Sequence, residues 1–151
     1  MAETIKGLTV KIGADTSDFI KELKKVDKEI NATQKTANQL QKGLQLEFDS
    51  SRFTQAQKKV QQALDTTEAK AKAIREQLKY LEDTGGVDTA GYQKLETELA
   101  KTETRALQLR EQLEEIDKLK FENATKNITK LSNGLETAAK KTAVLSAAAV
   151  G

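Results

Sequence analysis

The sequence predicts an all-α fold of long coiled-coil helices, or a helical hairpin, with a short N-terminal β-strand. Three observations carry that expectation. The 151 residues contain no proline, where average usage of about 5% gives roughly seven, and without that residue helices run unbroken. Good helix formers (Lys, Ala, Gln, Glu and Leu) dominate the chain. Only 37% of the residues are apolar and 4% aromatic, too little bulk for a thick globular core but enough for narrow seams on solvated helices.

The elements follow in order. Residues 1–14 form an N-terminal strand and turn. Within IKGLTVKI (5–12), Leu8, Val10 and Ile12 alternate with Thr9 and Lys11, the period of a half-buried strand. Asp15 and Asp18 then mark a capped, acidic helix start. The first coiled-coil helix spans 15–43. From Phe19 its seam runs through Leu23, Val26, Ile30, Thr33, Ala37, Leu40 and Leu44 in steps of three and four, the heptad spacing of helices wound on a partner. A connector at 44–50 interrupts it. Leu44, Leu46 and Phe48 alternate there, which leaves a short strand and a helix end both open.

The second helix, 51–82, carries Val60, Leu64, Thr67, Ala71, Ile74, Leu78 and Leu81. A Gly-rich turn at 83–91 follows, centred on Gly85 and Gly86, residues suited to positive φ. The third helix, 92–120, has the seam Tyr92, Leu95, Leu99, Thr102, Ala106, Leu109, Leu113 and Ile116, whose phase breaks near Leu119. A fourth helix, 121–151, restarts at Phe121 and continues through Ala124, Ile128, Leu131, Leu135, Ala138, Thr142 and Leu145. Flanking positions are mostly Lys, Glu, Gln and Thr, which favours a coiled coil over a bundle with wider apolar faces. The spacing leaves oligomeric state open. It also leaves open whether 60–81 and 92–116 stack end to end or fold back, although the short turn favours an antiparallel hairpin.

GLTVKIGADTSDF (7–19) resembles GLQLEFDSSRF (43–53), which suggests a duplicated cap-and-seam unit. The ending TAVLSAAAVG (142–151) is apolar and uncapped. It predicts a chain cut from something longer, though ten residues fall below the roughly twenty that span a bilayer.

Composition excludes several function classes. With neither cysteine nor histidine, disulfides, thiolate chemistry, zinc sites and His-based triads are ruled out. The 25 basic and 23 acidic residues interleave to a net charge of +2, with no basic block or stacking aromatics to mark a nucleic-acid surface. MAETIKGLTV lacks the layout of a secretory signal, which predicts a protein made and kept in a cytoplasm.

Candidate sites reduce to structural roles. Asp15, Asp18, Asp49 and Asp83 lack EF-hand spacing and read as helix caps. Gly85-Gly86 lacks the pattern of a phosphate loop. Glu82-Asp83 and Glu114-Glu115 sit on charged helix surfaces, without the differing environments that paired acid–base work needs. No catalytic, cofactor-binding or metal-binding residue is assigned, and the chain is not expected to be an enzyme. Thr33, Thr67, Thr102 and Thr142 place hydroxyls in the seams, where a polar residue fixes register at some cost in stability.

Three blocks in order, IKGLTVKIGADTSDFIKELKKVDKEI (5–30), QKGLQLEFDSSRFTQAQKKVQQAL (41–64) and GGVDTAGYQKLETELAKTETRALQL (85–109), resemble the N-terminal part of tape measure proteins of long-tailed phages and prophages of Gram-positive bacteria. The likeness covers essentially the whole chain, with one departure: the family's proline in the second block's turn is replaced around Phe48 to Ser50. The resemblance implies a structural ruler that sets tail length during assembly and is expelled during genome delivery. It implies tail assembly chaperones, tail tube proteins and tail tip proteins as partners, beside self-association. It implies the tail interior of the virion as location, and the host cytoplasm during assembly. Membrane contact would come only from a region downstream. The alternative function is a cellular coiled-coil adaptor or scaffold whose seams dock partner helices.

Overall fold

The computed structural model describes residues 2–13 and 15–146, with side chains described over 4–13 and 15–124. Its elements are β1 (Ala2–Ile5), β2 (Leu8–Lys11), α1 (Thr16–Leu46), α2 (Ser50–Asp83) and α3 (Ala90–Ser146). The fold is all-α with a small antiparallel sheet at its N-terminus.

That sheet is a hairpin, and not the single strand expected from the alternation. Ile5 pairs with Leu8 across a two-residue loop, and Lys6 and Gly7 both take positive φ, at 52° and 78°. Positive φ at both central residues is the type I′ geometry whose twist matches paired strands. Ile5, Val10 and Ile12 are buried against Phe19, Leu23, Ala73, Ile74, Leu78 and Leu95. The hairpin thus plugs one end of the helical bundle.

Each helix starts on a side-chain cap. Asp15 accepts from the Ser17 N–H at 2.8 Å and Asp49 from the Arg52 N–H at 2.9 Å, while the Thr89 hydroxyl accepts from the Tyr92 N–H at 3.2 Å. The internal likeness between 7–19 and 43–53 extends to these aspartate caps and to the buried Phe19 and Phe53 four residues after them, and it fails upstream of the caps. Upstream of Asp15 the chain is strand at Leu8–Lys11, whereas upstream of Asp49 the helix runs to Leu46. The connector is therefore 47–49, shorter than expected, and holds no strand. At the end of α2, Gly85 adopts φ 80°. The Gly86 N–H then reaches back to the Leu81 carbonyl at 2.7 Å and the Gly85 N–H to that of Glu82 at 3.5 Å, the paired closure of a Schellman motif.

α2 lies antiparallel to both neighbours, so 60–81 and 92–116 fold back on each other. Lys70 meets Glu98, and Gln57 meets Asp117. α1 and α3 consequently run parallel. Burial on α2 follows two overlapping heptad seams. One is the expected series through Val60, Leu64, Thr67, Ala71, Ile74 and Leu78. The other runs Phe53, Ala56, Val60, Ala63, Thr67, Lys70, Ile74 and Gln77, and all of these residues are buried. Val60, Thr67 and Ile74 belong to both, because the middle helix must face two partners at once.

The expected third and fourth helices are one. α3 is continuous from Ala90 to Ser146, 57 residues. The phase break near Leu119 moves the apolar stripe around the helix without ending it, since no glycine or proline falls between Tyr92 and Asn133 to interrupt the backbone. Level with Leu119–Asn123, α3 meets the α1–α2 connector, where Leu44 and Phe48 face it.

Candidate functional site

The buried residues form two apolar clusters rather than one. The first, at the hairpin end, gathers Phe19, Leu23, Val26, Ile30, Ile74 and Leu95; the second, at the connector end, gathers Ala37, Leu44, Phe53, Val60, Leu64, Leu109 and Ile116. Thr67, Lys70 and Thr102 lie between them, all buried. This polar layer is the molecule's most distinctive chemistry.

Lys70 sits on α2 with 5% of its surface exposed. Its Nζ donates to Asp27 Oδ1 on α1 at 2.5 Å and to Glu98 Oε2 on α3 at 3.4 Å. One ammonium thereby ties all three helices. Lysine is almost never buried unless paired, and here pairing comes from both flanking helices while the stem packs in the seam. Beside it Arg105 of α3 donates through Nη2 to Asn31 at 2.6 Å and Gln34 at 2.7 Å on α1. Burial pushes the Arg105 guanidinium below its ordinary pKa, and the Asp27 carboxylate opposes that shift. One heptad further along, Gln112 donates to Asn38 at 2.7 Å and Gln41 at 2.9 Å. The parallel helices α1 and α3 are thus joined by a polar ladder at seven-residue spacing.

These groups line an open cleft of about 240 Å³, bounded by Asp27, Asn31, Lys70, Glu98, Lys101 and Arg105. Among the described residues every buried side-chain nitrogen or oxygen has a hydrogen-bond partner. The network closes on itself. Its chemistry fixes register: a one-heptad slip of any helix strands the ammonium in an apolar layer. The seam threonines do not share that role. Thr67 and Thr102 each donate to the carbonyl four residues back in their own helix, Ala63 and Glu98, at 2.6 Å, so their hydroxyls make no bond between helices. Thr33 is half-buried, and Thr142 lies outside the residues whose side chains are described.

Of the expected seam residues, Leu23, Val26, Ile30, Val60, Leu64, Ile74, Leu78, Leu95, Leu109 and Ile116 are buried. Leu40, Leu81, Leu99 and Leu113 are partly buried against the clusters. Ile128, Leu131 and Leu135 lie outside the residues whose side chains are described. Sequence reasoning missed Lys70, Asp27, Glu98 and Arg105. One signal marked the first: Ala56, Ala63, Lys70 and Gln77 recur every seven residues, a second seam hidden because its members are small or polar.

Among the described residues no group of three or more His, Cys, Asp or Glu side chains gathers as a metal site, and no helix is long and apolar enough to cross a membrane. No family model, curated protein or solved structure matches the chain.

Proposed function

We propose that this chain is the N-terminal part of a phage tail tape measure protein, a structural component without catalytic activity. The bundle is its folded end piece, and α3 begins the measuring rod. The observation that carries this reading is the single 57-residue α3, which at about 1.5 Å per residue is roughly 86 Å of helix. The ordered likeness of 5–30, 41–64 and 85–109 to that family supports it as well. α1, α2 and the first part of α3 lie side by side, so residues added there lengthen the molecule less than residues added farther along α3.

In this reading tail assembly chaperones cover the chain in the host cytoplasm, and tail tube and tail tip proteins surround it in the virion. The rod is expelled with the genome. The test is an in-phase duplication of 122–135 in the phage or prophage genome that encodes the chain. Two heptads add about 21 Å of helix, and electron microscopy of tails should show mean length increased by that amount. Unchanged length at normal particle yield overturns the ruler assignment. Recovery of the chain with cellular proteins, and its absence from tails, would establish the adaptor alternative instead.

A further inference from the structure

Two ion pairs bridge α2 and α3 on the outside of the bundle. Arg75 donates through Nη2 to Glu103 Oε1 at 3.1 Å, and Arg110 through Nη2 to Glu68 Oε1 at 2.8 Å. These rungs stand seven residues apart on each helix. Between them opens a hollow of about 490 Å³. Ala71 and Ala106, both buried, form its floor, and Leu107 stands at its margin with 56% of its surface exposed. No residue of α1 lines it; α1 lies on the other flank, where Lys70 and Arg105 reach Asp27 and Asn31. The four charged side chains of the rungs each keep about half their surface in water.

The signs alternate around this hollow. α2 carries Glu68 then Arg75, and α3 carries Glu103 then Arg110, so every charge has an opposite one both along its helix and across its rung. Such a pattern is its own complement. Let two copies meet face to face about a two-fold axis that crosses the helices midway between the rungs. Glu103 then lies opposite Arg110 of the second copy, and Glu68 opposite its Arg75. Leu107 stands next to the midpoint of 103 and 110, so the two exposed leucines meet each other beside the axis, above the alanines. A guanidinium carries five N–H donors, and can join a second carboxylate without leaving its own rung.

We propose that this α2–α3 face pairs two copies of the chain in a two-fold, antiparallel contact centred on Leu107, with each charge set against its opposite. A second copy is the occupant because a partner of a single charge sign would meet two like charges here, whereas the alternation at the required spacing is supplied by the face itself. The contact is small and exposed ion pairs contribute modestly, so the association depends on concentration. The inference needs only the geometry of α2 and α3 and is independent of the tape measure reading.

Sedimentation over a concentration series should show the mass rise from one copy towards two, and added salt should lower it. The decisive comparison keeps each ion pair within the chain. Glu68→Arg with Arg110→Glu reverses one rung and leaves α2 with two positive charges and α3 with two negative ones. Facing copies then set like against like, so the dimer should be lost while the thermal midpoint by circular dichroism stays close to the parent's. Adding Arg75→Glu with Glu103→Arg reverses the second rung, restores the alternation and should restore the dimer. Leu107→Asp, at an exposed position, should abolish association and spare the fold. A parent that stays monomeric at every concentration, a dimer that survives the single reversal or Leu107→Asp, or a double reversal that does not recover association would overturn the proposal.

Discussion

Lys70 donates to Asp27 at 2.5 Å from a position where only 5% of it meets water. The contact crosses from α2 to α1 at the one level where neither apolar cluster reaches, and Glu98 completes it from α3. A buried charge of this kind contributes little net stability when paired and costs much when its partners are removed, because the desolvation penalty then stands uncompensated.

That asymmetry gives the first prediction. Asp27→Ala with Glu98→Ala should destabilise the bundle more than Lys70→Met, which keeps the stem's packing and removes the charge. About a third of each carboxylate side chain is exposed, so the double change should cost less than the roughly 3–5 kcal/mol of a fully buried pair. The methionine variant should fall within about 1 kcal/mol of the parent. Urea unfolding of the three proteins decides it, and equal losses would show that the layer acts through packing alone.

The heptad assignment of α3 is tested at Leu109, which is fully buried, and Leu113, which is partly so. Changing both to Asp should lower stability by at least the 1.5–3 kcal/mol or so that burying one such side chain contributes. Gln108 and Glu111 are exposed and form the matched control, expected to shift the thermal midpoint little. Gln112 does not serve as a neutral control, because it bonds Asn38 and Gln41. Gln112→Asp should cost an intermediate amount, on the order of 1 kcal/mol.

How far the sequence disclosed this architecture follows from which residues carry each feature. Leucine, isoleucine and valine at heptad spacing made the α1–α2 and α2–α3 seams readable. The second seam of α2 escaped, since Ala63, Lys70 and Gln77 resemble the solvated flank of a helix. The first strand escaped for a different reason: Lys6 takes a left-handed conformation that the usual hairpin signal assigns to Asn or Gly. The phase shift at Leu119 looked like a helix end because periodicity reports which face is apolar, and carries no information on whether the backbone continues. The polar layer was least legible, since it joins residues 27, 70 and 98 from three helices, and local spacing does not connect them.

Gly91 offers a prediction whose sign depends on one neighbour. Alanine is favoured over glycine within a helix by about 1 kcal/mol. A Cβ at Gly91 would lie only 2.8 Å from Thr16 Cγ2, where α3 crosses the start of α1. Gly91→Ala should therefore destabilise the parent. In a Thr16→Ser background, which removes that methyl, the same change should become neutral or stabilising. A gain in both backgrounds would mean that the two helix starts are not in contact.

Tyr92 supplies a pH dependence. Its hydroxyl donates to Glu82 Oε1 at 2.8 Å across the α2–α3 turn, and this bond to a carboxylate, followed by slight desolvation and the negative charges of Glu82 and Glu96, raises its pKa above 10.0. A raised folded-state value means that the bond's contribution is fully present below the unfolded tyrosine value and is lost as pH climbs through the folded one. With Tyr80→Phe removing the other phenol, ultraviolet titration should place Tyr92 above an unfolded reference. Glu82→Gln should bring it downward, and no movement would sever the link between these residues.

The last prediction concerns how length can be removed from this molecule. In an isolated extended helix, excising two heptads such as Ala63–Glu76 would preserve phase and spare folding. Here it would not. Those residues include Thr67, Lys70 and Ile74 of the middle helix, while α1 and α3 would keep their full length on either side. The shortened α2 would need its two ends to reach neighbours about 21 Å farther apart than it can span. A connector of three residues, 47–49, reaches only about 10 Å even when fully extended. The excision should abolish cooperative unfolding. A balanced version removes the facing stretches 21–34 and 98–111 together with 63–76, which keeps the heptad phase of every helix and takes out both carboxylates along with Lys70. That protein should regain a cooperative thermal transition as a shorter bundle. Comparing the two by circular dichroism and calorimetry separates a bundle held by mutual register from helices that stand alone, because independent helices would tolerate the single excision as well as the triple one.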